Sequence, residues 1–344
     1  MPVYVRIGIA LMASLAISLA ATPAVRLFSQ RVGAVDVPKD SRRMHSAPMP
    51  MLGGLAIYIG FVVSVMLLAE ITQQVRGILI GSVIIVVIGA IDDIRPLHAI
   101  LKFCIQIVAA LVAVYHGVVV EAFSNPFTFG ASQYIHLSTL SIPVTVLWIV
   151  GITNSVNLID GLDGLAVGVS TISSIVMLVI AIMLSDPNVA LIMAALTGAC
   201  LGFLPYNFNP ARIFMGDAGA LLLGYILATM SILGLFKLYA VVSFAAPFLV
   251  LALPFFDTSF AFLRRLLKGK KPWSPDRGHF HHRLLDMGLS QKQAVLVLYV
   301  VSGVFGIAAV IVATSDEIRA LIWVAALALA SIIVYLFLKG KKAS

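Results

Sequence analysis

The chain has 344 residues, 61% of them hydrophobic and only 11% charged, with a formal net charge of +8. Soluble domains carry roughly 25% charged residues, so this composition, with a mean hydropathy of +1.06, excludes a soluble enzyme and marks an integral membrane protein. Lys and Arg accumulate on short cytoplasmic loops of membrane proteins, so the surplus is no nucleic-acid signature; anionic headgroups and phosphorylated substrates are the expected partners.

Apolar runs near the ~20 residues of a spanning helix recur along the whole chain and leave no room for a soluble domain. They predict an all-α, polytopic fold with about eleven spans, at 4–27, 51–69, 77–91, 99–116, 140–155, 165–184, 189–205, 217–235, 240–263, 293–313 and 319–338. Met1 to Gln30 reads as an uncleaved first span, since its apolar run is longer than a signal-peptide core and a second span soon follows. The loop with Arg31, Lys39, Arg42 and Arg43, the loop from Arg264 to Arg283, and the tail with Lys339, Lys341 and Lys342 are basic. With eleven spans all three share one side, cytoplasmic by the positive-inside rule, leaving the N-terminus outside and the C-terminus inside. Glu70–Gln74, Ser185–Asn188 and Thr314–Glu317, on the other side, carry no Lys or Arg. The longest outer connection, Gly117–Thr139, mixes Phe123, Phe127, Phe129 and Tyr134 with Ser, Asn and Gly, as suits an interfacial hairpin or a plain loop. Cys104 and Cys200 fall in apolar segments and read as buried, reduced packing residues.

The polar exceptions cluster at the predicted cytoplasmic ends, near 29–50, 92–98, 154–164, 205–217 and 264–292. In GITNSVNLIDGLDGL, Gly151–Leu165, Asn154, Asn157, Asp160 and Asp163 recur every third residue, so a helix would align them on one wall. An acid near lipid costs several kcal/mol and marks a functional site by default. Asp92 and Asp93, being adjacent, diverge on a helix, so one faces the cavity while the other caps a helix or pairs with a loop cation. Lys102, nine residues after Asp93, either snorkels to the surface or holds a lipid phosphate. Asp217 follows Gly216 at a helix start, where it suits a metal ligand and an N-cap alike. A Mg²⁺ ion needs few carboxylates, completing its shell with water and phosphates, so Asp217 with Asn157 as a neutral oxygen donor would suffice. His279, His281 and His282, flanked by Arg277 and Arg283, match no usual zinc spacing and fit an anion-binding loop better.

Asp92-Asp93, NSVNLIDGLDGLA, FNPARIFMGDAG and HFHHRLLDMGLS together resemble the polyprenyl-phosphate N-acetylhexosamine-1-phosphate transferases. The resemblance spans nearly the whole chain, including DVPKDSRRMHSAPMPMLGGLAI, and casts residues 1–344 as a single transmembrane transferase domain. It implies transfer of a sugar 1-phosphate from a UDP-N-acetylhexosamine to undecaprenyl phosphate with release of UMP, at the cytoplasmic face of a bacterial cytoplasmic membrane. The H-x-H-H-R form of the late loop is similar to the UDP-N-acetylglucosamine branch, which begins teichoic acid, O-antigen or common antigen. Another UDP-N-acetylhexosamine, or UDP-N-acetylmuramoyl-pentapeptide, is the alternative donor. One departure from the branch is Met51, where arginine is usual.

The resemblance also implies roles: Asp217 as ligand of Mg²⁺ (or Mn²⁺) with Asn157 beside it, and Asp92 and Asp93 near the attacking phosphate. Asp163 and Asn207 would meet the nucleotide and Phe214 stack on uracil. Lys102 would contact the lipid phosphate or diphosphate, and His279, His281, His282 and Arg283 the sugar diphosphate. Asp160 organises the loop or touches substrate, and counts with Asp92 and Asp93 as a catalytic candidate. A homodimer is the implied assembly. The non-enzyme rival, an ion-coupled transporter, predicts acids near mid-span rather than at helix ends.

Overall fold

The computed structural model describes residues 1–37, 48–124, 134–236, 245–269 and 278–314. Lys39, Arg42, Arg43, Lys270, Lys271, Arg277, the tail lysines and the span expected at 319–338 lie outside the described residues. The helices are α1 (Val3–Val32), α2 (Gly54–Leu68), α3 (Gln73–Ile94), α4 (Ala99–Tyr115), α5 (Ser141–Ile159) and α6 (Leu165–Met183), followed by α7 (Pro187–Asn207), α8 (Gly216–Ser231), α9 (Ala245–Val250), α10 (Ala252–Leu267), α11 (Phe280–Asp286) and α12 (Gln291–Thr314). Short antiparallel ribbons pair β1 (Val35–Asp36) with β2 (Met49–Pro50), and β3 (Ala122–Ser124) with β4 (Tyr134–His136). Seven helical segments among the described residues are long and apolar enough to cross a membrane, and α2 and α4 are shorter apolar helices. The protein is an all-α, multi-pass membrane protein.

The span expected at 240–263 is not one helix: it breaks at Leu251 (φ −106°, ψ 20°), between α9 and α10. Pro254 has no N–H to give the Val250 carbonyl four residues earlier, and Ser173 on α6 donates to that oxygen instead, at 2.8 Å. Cys104 is a second departure: it is exposed on α4, among outward-facing Ile100, Leu101 and Phe103, whereas Cys200 is buried as expected.

Small residues set the helix spacing. Along α1, Ala10, Ser14, Ser18 and Thr22 form a buried stripe at four-residue intervals. It meets Gly198 and Gly202 of α7, where a Cβ would run into the backbone of Leu11 and Leu15. Without a hydrophobic drive between helices in lipid, such close backbone contact supplies the packing energy. Helix α8 is apolar all round and 89% of its spanning window is buried, as befits a central helix. It packs against α3, α5, α2 and α6, and these neighbours bring their ends to its N-terminus. At the opposite end, Arg6 donates to the Leu68 carbonyl and Asn188 Oδ1 accepts from Glu70 N at 2.8 Å.

Candidate active site

Four helix ends converge around one ammonium group. Lys102 Nζ, in the first turn of α4, lies 2.9 Å from Asp92 Oδ2 in the last turn of α3 and 2.9 Å from Asp217 Oδ2 in the first turn of α8. From the end of α5, Asn157 Nδ2 donates to the other Asp217 oxygen at 3.0 Å. Asp92 Oδ1 accepts from Leu97 N at 2.6 Å and so closes the turn between α3 and α4, which Pro96 keeps from being helical. Lys102 is therefore half-buried in an ion-pair network, and the snorkelling expectation gives way to this pairing.

Asp93 points elsewhere. Its Oδ1 accepts from Asp217 N at 2.8 Å and its Oδ2 from Ala218 N at 3.1 Å, so a carboxylate from α3 caps the N-terminus of α8. Asp217, expected to suit the cap itself, lies inside the first turn with its carboxylate free to face Lys102; the capping role belongs to Asp93. This approach needs Gly216, which has φ +72° and whose absent Cβ would strike both the Met51 carbonyl and the Asp93 carboxylate. The first-loop segment thus meets the site by backbone: Phe214 N donates to Pro50 O at 2.8 Å and Gly53 N to Phe214 O at 3.0 Å.

The four polar residues of the 154–163 stretch do not share one wall, because α5 ends at Ile159 and the chain turns through Gly161 and Gly164. Asn154 pairs with Gln106 of α4 and Asn157 with Asp217. Asp163 Oδ2 accepts from Asn209 Nδ2 at 2.9 Å and Ala211 N at 3.1 Å, while Asn209 also donates to Gln291 at 2.7 Å. Asn207 is buried, with its oxygen on Gly164 N and its nitrogen on Ile213 O, both at 3.1 Å. Both residues expected at the nucleotide thus tie the α5–α6 and α7–α8 loops together. Asp160 faces the acids: burial first, then the charges of Asp217 and Asp163, push its carboxyl up to about 7.

A histidine segment closes over this loop. His279 Nδ1 lies 2.8 Å from Asp257 Oδ2 of α10, and Phe280 N donates to Asp257 Oδ1 at 2.8 Å. His281 stacks on His279 with 5.8 Å between ring centroids and lies 4.3 Å from the ring of His282, with Arg283 next on α11. His281 Nε2 lies 2.6 Å from the position a Cβ on Gly161 would take, so this glycine admits the imidazole. Burial, then the His282 neighbour, pull the His281 pKa down to about 4, so at neutral pH it offers a neutral ring. Arg277 lies outside the described residues.

Sequence reasoning overlooked Asp257, Gln106 and Tyr299, whose hydroxyl donates to the Gly164 carbonyl. Asp257 carried a usable signal, being an acid inside a predicted span.

The donor set fits Mg²⁺. The Asn157 amide lies 3.0 Å from Asp217 Oδ1, the oxygen that does not meet Lys102, and, its nitrogen and oxygen being interchangeable by a flip, can present its own oxygen there. Among the described residues no group of three or more His, Cys, Asp or Glu could hold a metal alone. The residues therefore suit an ion whose remaining ligands are water and substrate phosphates.

The description "Glycosyl transferase family 4" matches residues 75–235, which hold the whole acidic cluster. The chain is 43% identical over 310 residues to a probable undecaprenyl-phosphate N-acetylglucosaminyl 1-phosphate transferase of Bacillus subtilis, covering 89% of this chain and 85% of that one. It belongs to the polyprenyl-phosphate sugar-phosphate transferases of this family. The transferase is also 30% identical over 292 residues to an undecaprenyl-phosphate alpha-N-acetylglucosaminyl 1-phosphate transferase of Thermotoga maritima, covering 85% and 86% of the two chains. A phospho-N-acetylmuramoyl-pentapeptide-transferase of Staphylococcus aureus is 30% identical over 285 residues, covering 77% and 85%. The transferase is thus an enzyme that moves a sugar phosphate, and Asp92, Asp93 and Asp217 of its acidic cluster lie at helix ends.

Proposed function

We propose that the transferase moves N-acetylglucosamine 1-phosphate from UDP-N-acetylglucosamine to undecaprenyl phosphate and releases UMP, at the cytoplasmic face of a bacterial membrane. The observation that carries this reading is the Lys102 ammonium held at 2.9 Å from both Asp92 and Asp217, at the mouth of helices that lie in the bilayer. The relatives named for N-acetylglucosaminyl transfer, one of them 43% identical, support this donor and acceptor.

Both reactants are phosphates, so the barrier is repulsion between anions. A Mg²⁺ ion at Asp217 and Asn157 would offset charge on the diphosphate and on departing UMP. Lys102, on the other Asp217 oxygen, supplies the protein's own fixed positive charge beside it, and the N-terminus of α8 adds its dipole. A phosphate monoester has its second pKa near ~6, so the attacking lipid phosphate is largely dianionic and needs no strong base. Asp92 positions Lys102, while Asp160, titrating near neutrality, can take up a residual proton. Asp93 acts through its cap on α8. The geometry favours direct attack over an aspartyl-phosphate, since Asp92 and Asp217 are both held by Lys102.

Incubating the protein in membranes with Mg²⁺, undecaprenyl phosphate and labelled UDP-N-acetylglucosamine should yield labelled lipid and stoichiometric UMP. Absence of both products, or faster turnover with another UDP-N-acetylhexosamine, would refute the assigned donor.

A further inference from the structure

We propose that Asp257 is a positioning residue for sugar-phosphate transfer: it anchors His279 and the start of α11, and thereby holds His281 against Gly161 beside Asp160. The inference rests on the reading that the histidine segment meets the sugar diphosphate. Asp257 lies on α10, outside the residues 75–235 that match the family description.

Asp257 is 3% exposed, and a buried carboxylate costs several kcal/mol unless its oxygens are paired. Here both are used within one short stretch, Oδ2 by His279 Nδ1 and Oδ1 by Phe280 N, each at 2.8 Å. The first bond places the His279 proton on Nδ1 and fixes the ring plane; the second satisfies an orphan N–H at the start of a seven-residue helix. Such a helix is too short to persist without tertiary support. Apolar contacts add to this support: Phe280 meets Phe260 at 6.3 Å between centroids, and Phe260 stacks on Phe256. The bond from Asp257 sets the angle of His279. That angle passes to His281, whose ring lies 13° from parallel to His279, and from His281 to Gly161 by direct contact. Buried behind His279 and Phe280, the carboxylate acts through the histidines.

The test compares Asp257→Asn, Asp257→Ala, His279→Ala and the double variant Asp257→Asn/His279→Ala, in lipid nanodiscs. Melting temperature is measured with kcat and KM for UDP-N-acetylglucosamine. Asp257→Asn keeps an acceptor for Phe280 N but presents the wrong group to His279. It should melt like the wild type while KM rises, on the order of the 10–100-fold seen when the partner of a metal-bound histidine is removed. The double variant should be no worse than His279→Ala, because the two residues act as one unit. Asp257→Ala should show the KM effect and a lower melting temperature, from the lost cap. Wild-type KM in Asp257→Asn beside an impaired His279→Ala, or multiplied effects in the double variant, would overturn the role of Asp257 alone. A fully active His279→Ala would overturn it together with the histidine reading.

Discussion

Among the described residues of this transferase, two helix N-termini are capped by a carboxylate from another element, and they differ in what the cap holds. Asp93 of α3 meets two N–H groups of α8, a 16-residue helix buried on nearly every side. Asp257 of α10 meets one N–H and one imidazole at α11, which has seven residues. In the first case, packing already fixes the helix and the carboxylate adds a register: it pins Asp217 opposite Lys102. In the second, the carboxylate supplies much of the order itself. On the proposed reading, metal and phosphate chemistry would sit on rigid helix ends, and donor recognition on a short segment strapped to them.

The comparison breaks most visibly on the rigid side. Asp217→Ala and Lys102→Ala should each lower kcat/KM on the order of 10²–10³-fold, as loss of a preorganised charge does. Apparent Mg²⁺ affinity should fall further in Asp217→Ala than in Asp160→Ala; the reverse ranking would move the metal to the 154–163 loop. Gly216→Ala forces a Cβ onto φ +72° and against Asp93, and should cost about 1–3 kcal/mol in thermal unfolding, along with activity. Gly161→Ala, by contrast, meets only the end of the His281 side chain, and should raise KM more than it lowers stability.

Titration sharpens the contrast. His281 has its pKa pulled from 6.5 to about 4, so the unfolded state binds its proton first and stability falls as pH drops through that window. Asp160 is pushed from 3.8 to about 7, so the folded state holds the proton longer and stability falls as pH rises through that window. Melting curves of metal-free His281→Gln and Asp160→Asn from pH 4 to 8, each subtracted from wild type, should have opposite slopes. Parallel slopes would refute one of the two environments. The smallest effect belongs to Tyr299→Phe, which loses the bond to the Gly164 carbonyl and should cost about 1 kcal/mol with a few-fold change in kcat/KM.

Much of the architecture was legible because apolar run length is a local property: the first eight expected spans and the tenth each fall on one helix. The ninth was misread since a hydropathy run is blind to whether Pro254 leaves a carbonyl without a donor, and here Ser173 of α6 satisfies it. Cys104 was misread for a related reason, because in lipid an apolar helix face does not distinguish inside from outside. Within the site, residue types were visible but partners were not. That Asp163 and Asn207 join two loops is not visible in their spacing, and Asp257 passed unnoticed in an apolar run.

By itself, the sequence determined the membrane class, most of the helices among the described residues and the acids, amides and histidines near their ends, since each depends on composition or on spacing within a few residues. Tertiary structure decided which of Asp92 and Asp93 faces Lys102, which residue caps α8, and that Asp257 governs His279. Those choices are hydrogen bonds between residues 10, 124 and 22 positions apart, each joining separate elements, and no helical periodicity reaches from one element to the other.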